Sequence, residues 1–510
     1  MKNKKSCNSK AEIPEEEFDA EMISKNLSAS KFPKLWLALI PILILIVILF
    51  FTIRVFGGDA LGGASQISLL IATAFTSIIG ICMGYTSWQE IEKHIGKSIH
   101  GIATALIILL LIGALSGSWM ISGVVPTLIY YGMKLLNPTF FLAACCIICA
   151  IVSIMTGSSW TTIATIGVAL LGIGHVMGFS DGWIAGSIIS GAYFGDKMSP
   201  LSDTTVLAAS TTGTNLFTHI KYMMITTVPS VTIALIIYLI VGLWGSTDSN
   251  INANEFGEAL KNTFHITPWL LIVPLIAGIL IAKKAPSLVT LFASAIAGSI
   301  AALIVQPDIL IQIGQTGAEH TDMSTTTTLF RGSYIALFGS TNVISSMESL
   351  NDLISTSGMG GMLNTVWLII CAMAFGAALT ASKALYSIMN QLKKITHHRF
   401  SLITSTVFSG IFNNITMADQ YMSIIITSRI FNDIYKNDGY ESRLLSRSIE
   451  DSATVTSPLI PWTTCGMTQA TILGVATWVY FPYCIFNIIS PFMSIFITTI
   501  GYKVIRHPVK

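Results

Sequence analysis

Two stretches decide how this chain folds: SGAYFGDKMSPLSDTT at residues 190–205 and SIEDSATVTSPLIPWTT at residues 448–464. Ser199-Pro200-Leu201 and Ser457-Pro458-Leu459 stand 258 residues apart, as do Ser190 and Ser448; the Thr-Thr pairs 204/205 and 463/464 need one extra residue. Upstream, Thr156-Gly157-Ser158-Ser159 stands at the same offset from Asn414-Ile415-Thr416-Met417, again a polar interruption in an apolar context. Irregular backbone at membrane depth survives only where protein or a water-filled cavity satisfies its polar groups. Paired interruptions in the two halves of a chain point to a carrier site at the repeat interface. The plainer reading is that Gly and Pro only relieve helix packing, but here carboxylates coincide with the breaks.

Working outward, the whole chain fits a membrane context. It is 52% hydrophobic and 11% charged, against about 25% charged in soluble proteins. Residues 1–34 alone hold seven lysines and six acidic residues, so the remainder is poorer still in charge. These facts exclude a soluble globular enzyme, a disordered chain, and a nucleic-acid binder acting through a basic face. The net charge of +2 gives no field to steer a polyanion. The expected fold class is an all-α polytopic membrane protein, with about ten to twelve crossings at the length a helix needs to span a bilayer.

The expected organisation is a polar tail over 1–34, a first transmembrane repeat over 35–245, a linker over 246–266, a second repeat over 267–505 and a short tail over 506–510. The first apolar run begins at Leu35, late for a signal peptide, and Glu15, Glu16, Glu17, Asp19 and Glu21 argue against a transit peptide. The tail therefore reads as a cytoplasmic extension, with its lysines favouring an N-in orientation. Residues 306–332, with His320 and Asp322, read as an exposed loop. The amphipathic segments 88–97 and 390–399 read as lying along the interface. Cys145, Cys146 and Cys149 resemble a metal or redox motif, but within an apolar helix without a histidine they are expected to be packing residues. No disulfide, transition-metal site or cofactor is expected.

Ionisable side chains inside spans are costly and usually face a cavity. Those at the breaks are Asp196, Lys197 and Asp203 in the first half and Asp419, Glu450 and Asp451 in the second. A carboxylate in a dry site takes up a proton unless a cation sits beside it, so one carboxylate can bind either H⁺ or Na⁺. Asp196, Asp203, Asp419, Asp451 and Glu450 are the candidate ion and proton sites. Ser158, Ser199, Ser202, Thr204, Thr205, Asn414, Ser457, Thr463 and Thr464 are candidate oxygen ligands. Each has a plainer alternative. Asp196 could pair with Lys197, Asp203 could cap a helix, Glu450 could pair with Arg447, and the hydroxyls could bond carbonyls one turn back. His175 reads as a hydrogen-bonded neutral histidine, and Trp160 and Trp462 as cavity walls. Walker A, HExxH and GxSxG sequences are missing, so neither ATP hydrolysis nor common hydrolase chemistry is indicated.

GAYFGDKMSPLSDTT and TGSSWTTIATIG in the first half, with NNITMADQYMSIIITSRIF and EDSATVTSPLIPWTTCG in the second, resemble the signatures of the NhaC family of Na⁺/H⁺ antiporters. The resemblance covers nearly the whole chain beyond the tail. It implies two inverted repeats, each with a re-entrant hairpin and a broken helix, and Na⁺ and protons as cargo in the bacterial cytoplasmic membrane. Departures occur at Val206, where the family often has Asn, and at Thr463-Thr464, where it tends to read Asn-Thr. Members resembling malate/lactate antiporters leave an alternative open, a Na⁺/H⁺-coupled exchanger of small organic carboxylates. A channel or sensor is the third class; two broken-helix repeats in one chain fit a carrier better. Lipid is an expected neighbour, nucleic acid is not, and a homodimer is expected by analogy only.

Overall fold

The computed structural model describes residues 32–56, 62–244, 253–283, 285–316, 324–345, 347, 350–351, 354–393 and 398–506. Most of the tail, residues 246–252 of the linker, His320, Asp322, residues 394–397 and residues 507–510 lie outside the described residues. Among the described residues the chain is helical, with only two isolated β-bridges, Thr341 to Thr356 and Tyr440 to Arg506.

The N-terminal helices are α1 (Leu35–Phe56), α2 (Ala64–Cys82), α3 (Trp88–Ile121) and α4 (Val124–Leu135). Then come α5 (Phe141–Thr156), α6 (Ser159–Val176), α7 (Asp181–Met198), α8 (Asp203–Thr211) and α9 (Leu216–Trp244). Next are α10 (Ala253–Thr263), α11 (Ile272–Ala282), α12 (Ser287–Val305), α13 (Pro307–Gln315), α14 (Thr325–Phe338), α15 (Leu363–Ala381) and α16 (Ala384–Lys393). The last group is α17 (Arg399–Met417), α18 (Gln420–Asn437), α19 (Ser442–Ile449), α20 (Thr464–Leu473) and α21 (Ile485–Ile500).

Among the described residues, eight helices are long and apolar enough to cross a membrane, or up to ten if each of two bent pairs is one span. That reaches only the lower edge of the ten to twelve expected, because several interior helices are interrupted or polar. The apolar run 470–489 is broken after Gly474, which has φ +66°, and again around Phe481–Tyr483. The amphipathic segment 88–97 is not a separate interfacial helix. Ser87 caps α3, accepting from the Glu90 amide at 3.3 Å while Glu90 accepts from the Ser87 amide at 3.2 Å. The 34 residues of α3 then run without a break, about 51 Å at 1.5 Å per residue.

The interior is assembled by small residues. On α7 a Cβ at Gly191 would fall 2.1 Å from the Cys146 carbonyl oxygen, and one at Gly195 2.4 Å from that of Ala150. Close approach of this kind substitutes for the hydrophobic drive that lipid removes. Cys145, Cys146 and Cys149 are buried and free. Among the described residues no cluster of His, Cys, Asp and Glu could hold a metal ion.

Candidate ion site

The two sequence halves build matching breaks. In the first, α5 and α6 form a hairpin. Its arms meet at the base, where Phe141 stacks on Phe179 at 5.6 Å, and its tip is Gly157 at φ +68°. Ser158 then caps α6, accepting from the Thr161 amide at 3.2 Å. In the second, α17 and α18 form a hairpin tied by Asn413 to Thr427 at 2.9 Å and by Thr406 to Tyr435 at 3.0 Å. Its tip is Ala418 at φ +56°, and Asp419 caps α18, accepting from the Met422 amide at 2.9 Å. The tips therefore match as Gly157 with Ala418 and Ser158 with Asp419, three residues away from the alignment that the SPL offset suggests.

The SPL segments break the helices that follow. Ser202 caps α8 by accepting from the Thr205 amide at 3.4 Å, and Thr463 caps α20 by accepting from the Gly466 amide at 3.0 Å. Each broken helix docks on a hairpin tip. Asp196, at the end of α7, accepts from the Ser159 hydroxyl at 2.7 Å and from its amide at 3.2 Å. Across the other break, the Thr464 amide donates to the Ala418 carbonyl at 2.8 Å and its hydroxyl to Asp419 at 3.2 Å.

The predicted residues separate into three groups. Asp196, Asp203, Ser158 and Thr204 line one cavity of about 430 Å³, with Trp160 and Tyr421 among its walls. Asp203 stands exposed, as the first residue of α8 rather than its cap. Among the described residues that line this cavity none is basic. Several hydroxyls serve the backbone instead. Ser199 donates to the Ile154 carbonyl at 2.8 Å, Thr205 to that of Lys197 at 3.1 Å, and Thr463 to that of Ser457 at 2.6 Å. Asn414 donates to the Ala453 carbonyl at 2.6 Å and to Thr456 at 3.0 Å, leaving its own amide oxygen buried and unpartnered, as is the Ser457 hydroxyl.

The third group is a dry seam between the halves. Lys197 does not pair with its neighbour Asp196; it crosses to Asp451, which also accepts from the Thr226 hydroxyl at 3.1 Å. Arg447 Nε lies 3.8 Å from the other oxygen of Asp451, and Arg447 does not hydrogen-bond Glu450. Glu450 is fully buried on a π-helical turn, residues 450–454, with neither oxygen hydrogen-bonded. The Asn487 amide donates to the Val455 carbonyl at 2.8 Å, so α21 and α17 together satisfy backbone groups that the irregular turn releases. Thr226 and Asn487 escape a reading of sequence. Each sits in an unremarkable helical stretch, and only the fold brings it to a break. Trp462 donates to the Ile415 carbonyl at 2.8 Å and so pins the second tip.

A second cavity of about 500 Å³ lies further along the same helices. On α3, residues 104 and 108 face the acidic cavity and residues 112, 116 and 120 face the second. These are successive positions of one i, i+4 ridge. Along the first hairpin, Trp160 faces the former and Ala164 to His175 the latter. About one helical turn, roughly 6 Å, separates the two. His175 pairs with Asp181 at 3.2 Å at the second cavity.

Fold and site thus define a multi-pass α-helical membrane protein whose two interrupted halves meet at an acidic interior. The chain belongs to the Na⁺/H⁺ antiporter family, whose model matches residues 191–502. It is 34% identical over 424 residues to the malate-2H⁺/Na⁺-lactate antiporter of Bacillus subtilis, covering 82% of this chain and 85% of that one. It is 32% identical over 438 residues to the Na⁺/H⁺ antiporter NhaC of Alkalihalophilus pseudofirmus, covering 86% and 90%. The arginine/ornithine antiporter ArcD of Halobacterium salinarum is 30% identical over 493 residues, covering 96% and 94%.

Proposed function

We propose that this chain is a secondary active antiporter that exchanges Na⁺ for H⁺ across the bacterial cytoplasmic membrane by alternating access. The observation that carries this reading is the cavity between the broken helix and the hairpin tips. It presents the Asp196 and Asp203 carboxylates beside hydroxyl and carbonyl oxygens, with no basic group among the described residues that line it. A hard cation is held by such an oxygen shell, and a proton competes with it for the carboxylates. The cavity is large enough for more than a bare ion, and one relative is named for malate and lactate, so a carboxylate-coupled exchange is the second reading. Two carboxylates without a basic partner count against an organic anion there.

The second cavity, one turn beyond the first along α3 and α6, supports a carrier in which access passes from one side to the other. With the N-terminus in the cytoplasm, α3 runs outward, so the acidic cavity is the cytoplasmic one. Lipid contacts the exposed apolar flanks, and a homodimer is compatible with them.

Purified protein in liposomes with an imposed pH gradient and a lumenal pH dye tests this. Collapse of the gradient on adding Na⁺ alone is expected. Collapse that requires malate or lactate would replace the reading with carboxylate exchange.

A further inference from the structure

Among the buried acidic groups, Asp196 and Glu450 are not equivalent. Asp196 reaches the cavity and is held from the hairpin tip by Ser159. Glu450 lines none of the cavities described above; it is enclosed, and both its oxygens lack partners. Leaving an ionised carboxylate buried and unpaired is costly. Neighbouring carboxyls avoid that cost: Asp451 through Lys197, Arg447 and Thr226, and Asp419 through Thr464 and the Met422 amide. Glu450 has no ion pair, and only the Thr454 hydroxyl on its own turn lies near enough to help it, without a hydrogen bond of full geometry.

The ionisable groups around Glu450 are few. On α7 they are Asp196 and Lys197, both within electrostatic reach. On its own segment they are Arg447 and Asp451. From α9 comes His219, hydrogen-bonded to Ser446 at 2.7 Å, and from α18 Tyr435, hydrogen-bonded to Thr406 at 3.0 Å. From α17 and α21 the polar groups turned to this turn are the uncharged Asn414 and Asn487.

Count the charges of Asp196, Lys197, Arg447, Glu450 and Asp451. With all five ionised the sum is one negative charge. A proton on Glu450 brings it to zero, and so does a monovalent cation on Asp196 with Glu450 ionised. Both ligands together leave one buried positive charge, and neither leaves one negative charge. A low-dielectric interior penalises both of these last states. Lys197 is the physical link, because it follows Asp196 in the chain and its ammonium lies across the seam on Asp451.

We propose that cation and proton occupy different carboxyls: the cation sits on Asp196 in the cavity, and the proton sits on Glu450 in the dry seam, one displacing the other through the shared field of Lys197. This rests on the antiport reading but replaces competition at a single carboxylate with coupling between two.

The test uses the full chain in liposomes and two readouts: Na⁺-driven proton movement, and exchange of ²²Na⁺ for Na⁺ without a pH gradient. If the wild-type chain moves no protons with Na⁺ alone, the antiport reading itself falls. Given that movement, Glu450→Gln, which fixes the neutral state that a proton on Glu450 gives, is expected to lose it and to keep Na⁺ self-exchange only at raised Na⁺ concentration, and Asp196→Asn is expected to lose both. Proton coupling retained in Glu450→Gln would overturn the proposal, as would an unchanged Na⁺ concentration dependence of self-exchange in a monodisperse Glu450→Gln protein. Should that variant fail to fold, the wild-type protein decides. Dicyclohexylcarbodiimide, which attacks protonated carboxyls in apolar surroundings, is expected to label Glu450, with Na⁺ reducing the label. Mass spectrometry that finds Glu450 unlabelled, or labelled equally with and without Na⁺, would overturn the proposal.

Discussion

Asp196 is the residue at which chain geometry and chemistry meet. The helix ends there because Pro200 follows, and its carboxylate turns to the Ser159 amide and hydroxyl, so one oxygen is fixed by the hairpin tip while the group still borders the cavity. Asp196→Asn keeps the size and an acceptor but removes the charge. It is expected to reduce Na⁺-driven proton movement to background with normal membrane insertion, checked by the liposome assay and by size-exclusion of the detergent-solubilised protein. Lys197 and Asp451 make a different prediction. Both are fully buried, and removing one partner of a buried ion pair costs about 3–5 kcal/mol because the other is left uncompensated. Lys197→Met is therefore expected to lower thermal stability sharply. Lys197→Met combined with Asp451→Leu should be less unstable than the sum of the two single changes, read by thermal denaturation in detergent. A purely cavity-lining role for Lys197 would give additive losses.

The hairpin tips carry predictions at the level of elements. Gly157 holds φ +68°, and a Cβ there would come within 2.7 Å of Leu201, the leucine of the SPL break. Gly157→Ala is thus expected to separate the first tip from the broken helix and to impair transport. Ala418 occupies the matching place at φ +56° without a glycine's freedom. An L-residue pays about 1–2 kcal/mol in that conformation, so Ala418→Gly should stabilise the protein by about 1 kcal/mol. For a chain of this length that is a rise in Tm of roughly 1–2 °C, measurable by differential scanning fluorimetry. The SPL breaks and the carboxylates beside them were legible in the sequence, since proline and clustered hydroxyls are visible without knowing the fold. The second hairpin was legible only as the polar interruption at 414–417 and through the family resemblance, not as a pair of apolar runs. Helices α17 and α18 carry buried Ser405, Thr406, Asn413, Asn414 and Thr427, which face protein rather than lipid and so erase the apolar run that marks a span. The three-residue difference between tip and SPL alignments has the same origin: side-chain identity aligns the motifs, but backbone caps align the tips. The pairing of Lys197 with Asp451 lies beyond sequence reasoning altogether, because it joins residues 254 apart.

For the whole molecule, the two cavities lie at successive heights along one face of α3, with about one helical turn between them. If that turn is the barrier, reagents from opposite sides of the membrane reach opposite cavities. Thr204→Cys in the acidic cavity and Thr356→Cys in the second, in a background with Cys7 and Cys82 replaced by Ser, should be labelled by a membrane-impermeant maleimide from opposite faces of the membrane. Labelling of both from one face would mean a single continuous basin and would remove the geometric support for alternating access. The charge count across the seam extends this to energetics. A protonated Glu450 and a cation on Asp196 leave the buried group with the same net charge, so the two loaded forms differ by nothing that a membrane potential can act on. One Na⁺ for one H⁺ should therefore proceed at the same rate whether the potential across the liposome is clamped at zero or at a large value with K⁺ and valinomycin. A rate that rises or falls with the clamp would require a further charge to move with the cargo, and Asp203, exposed at the cavity, is the carboxylate left to carry it.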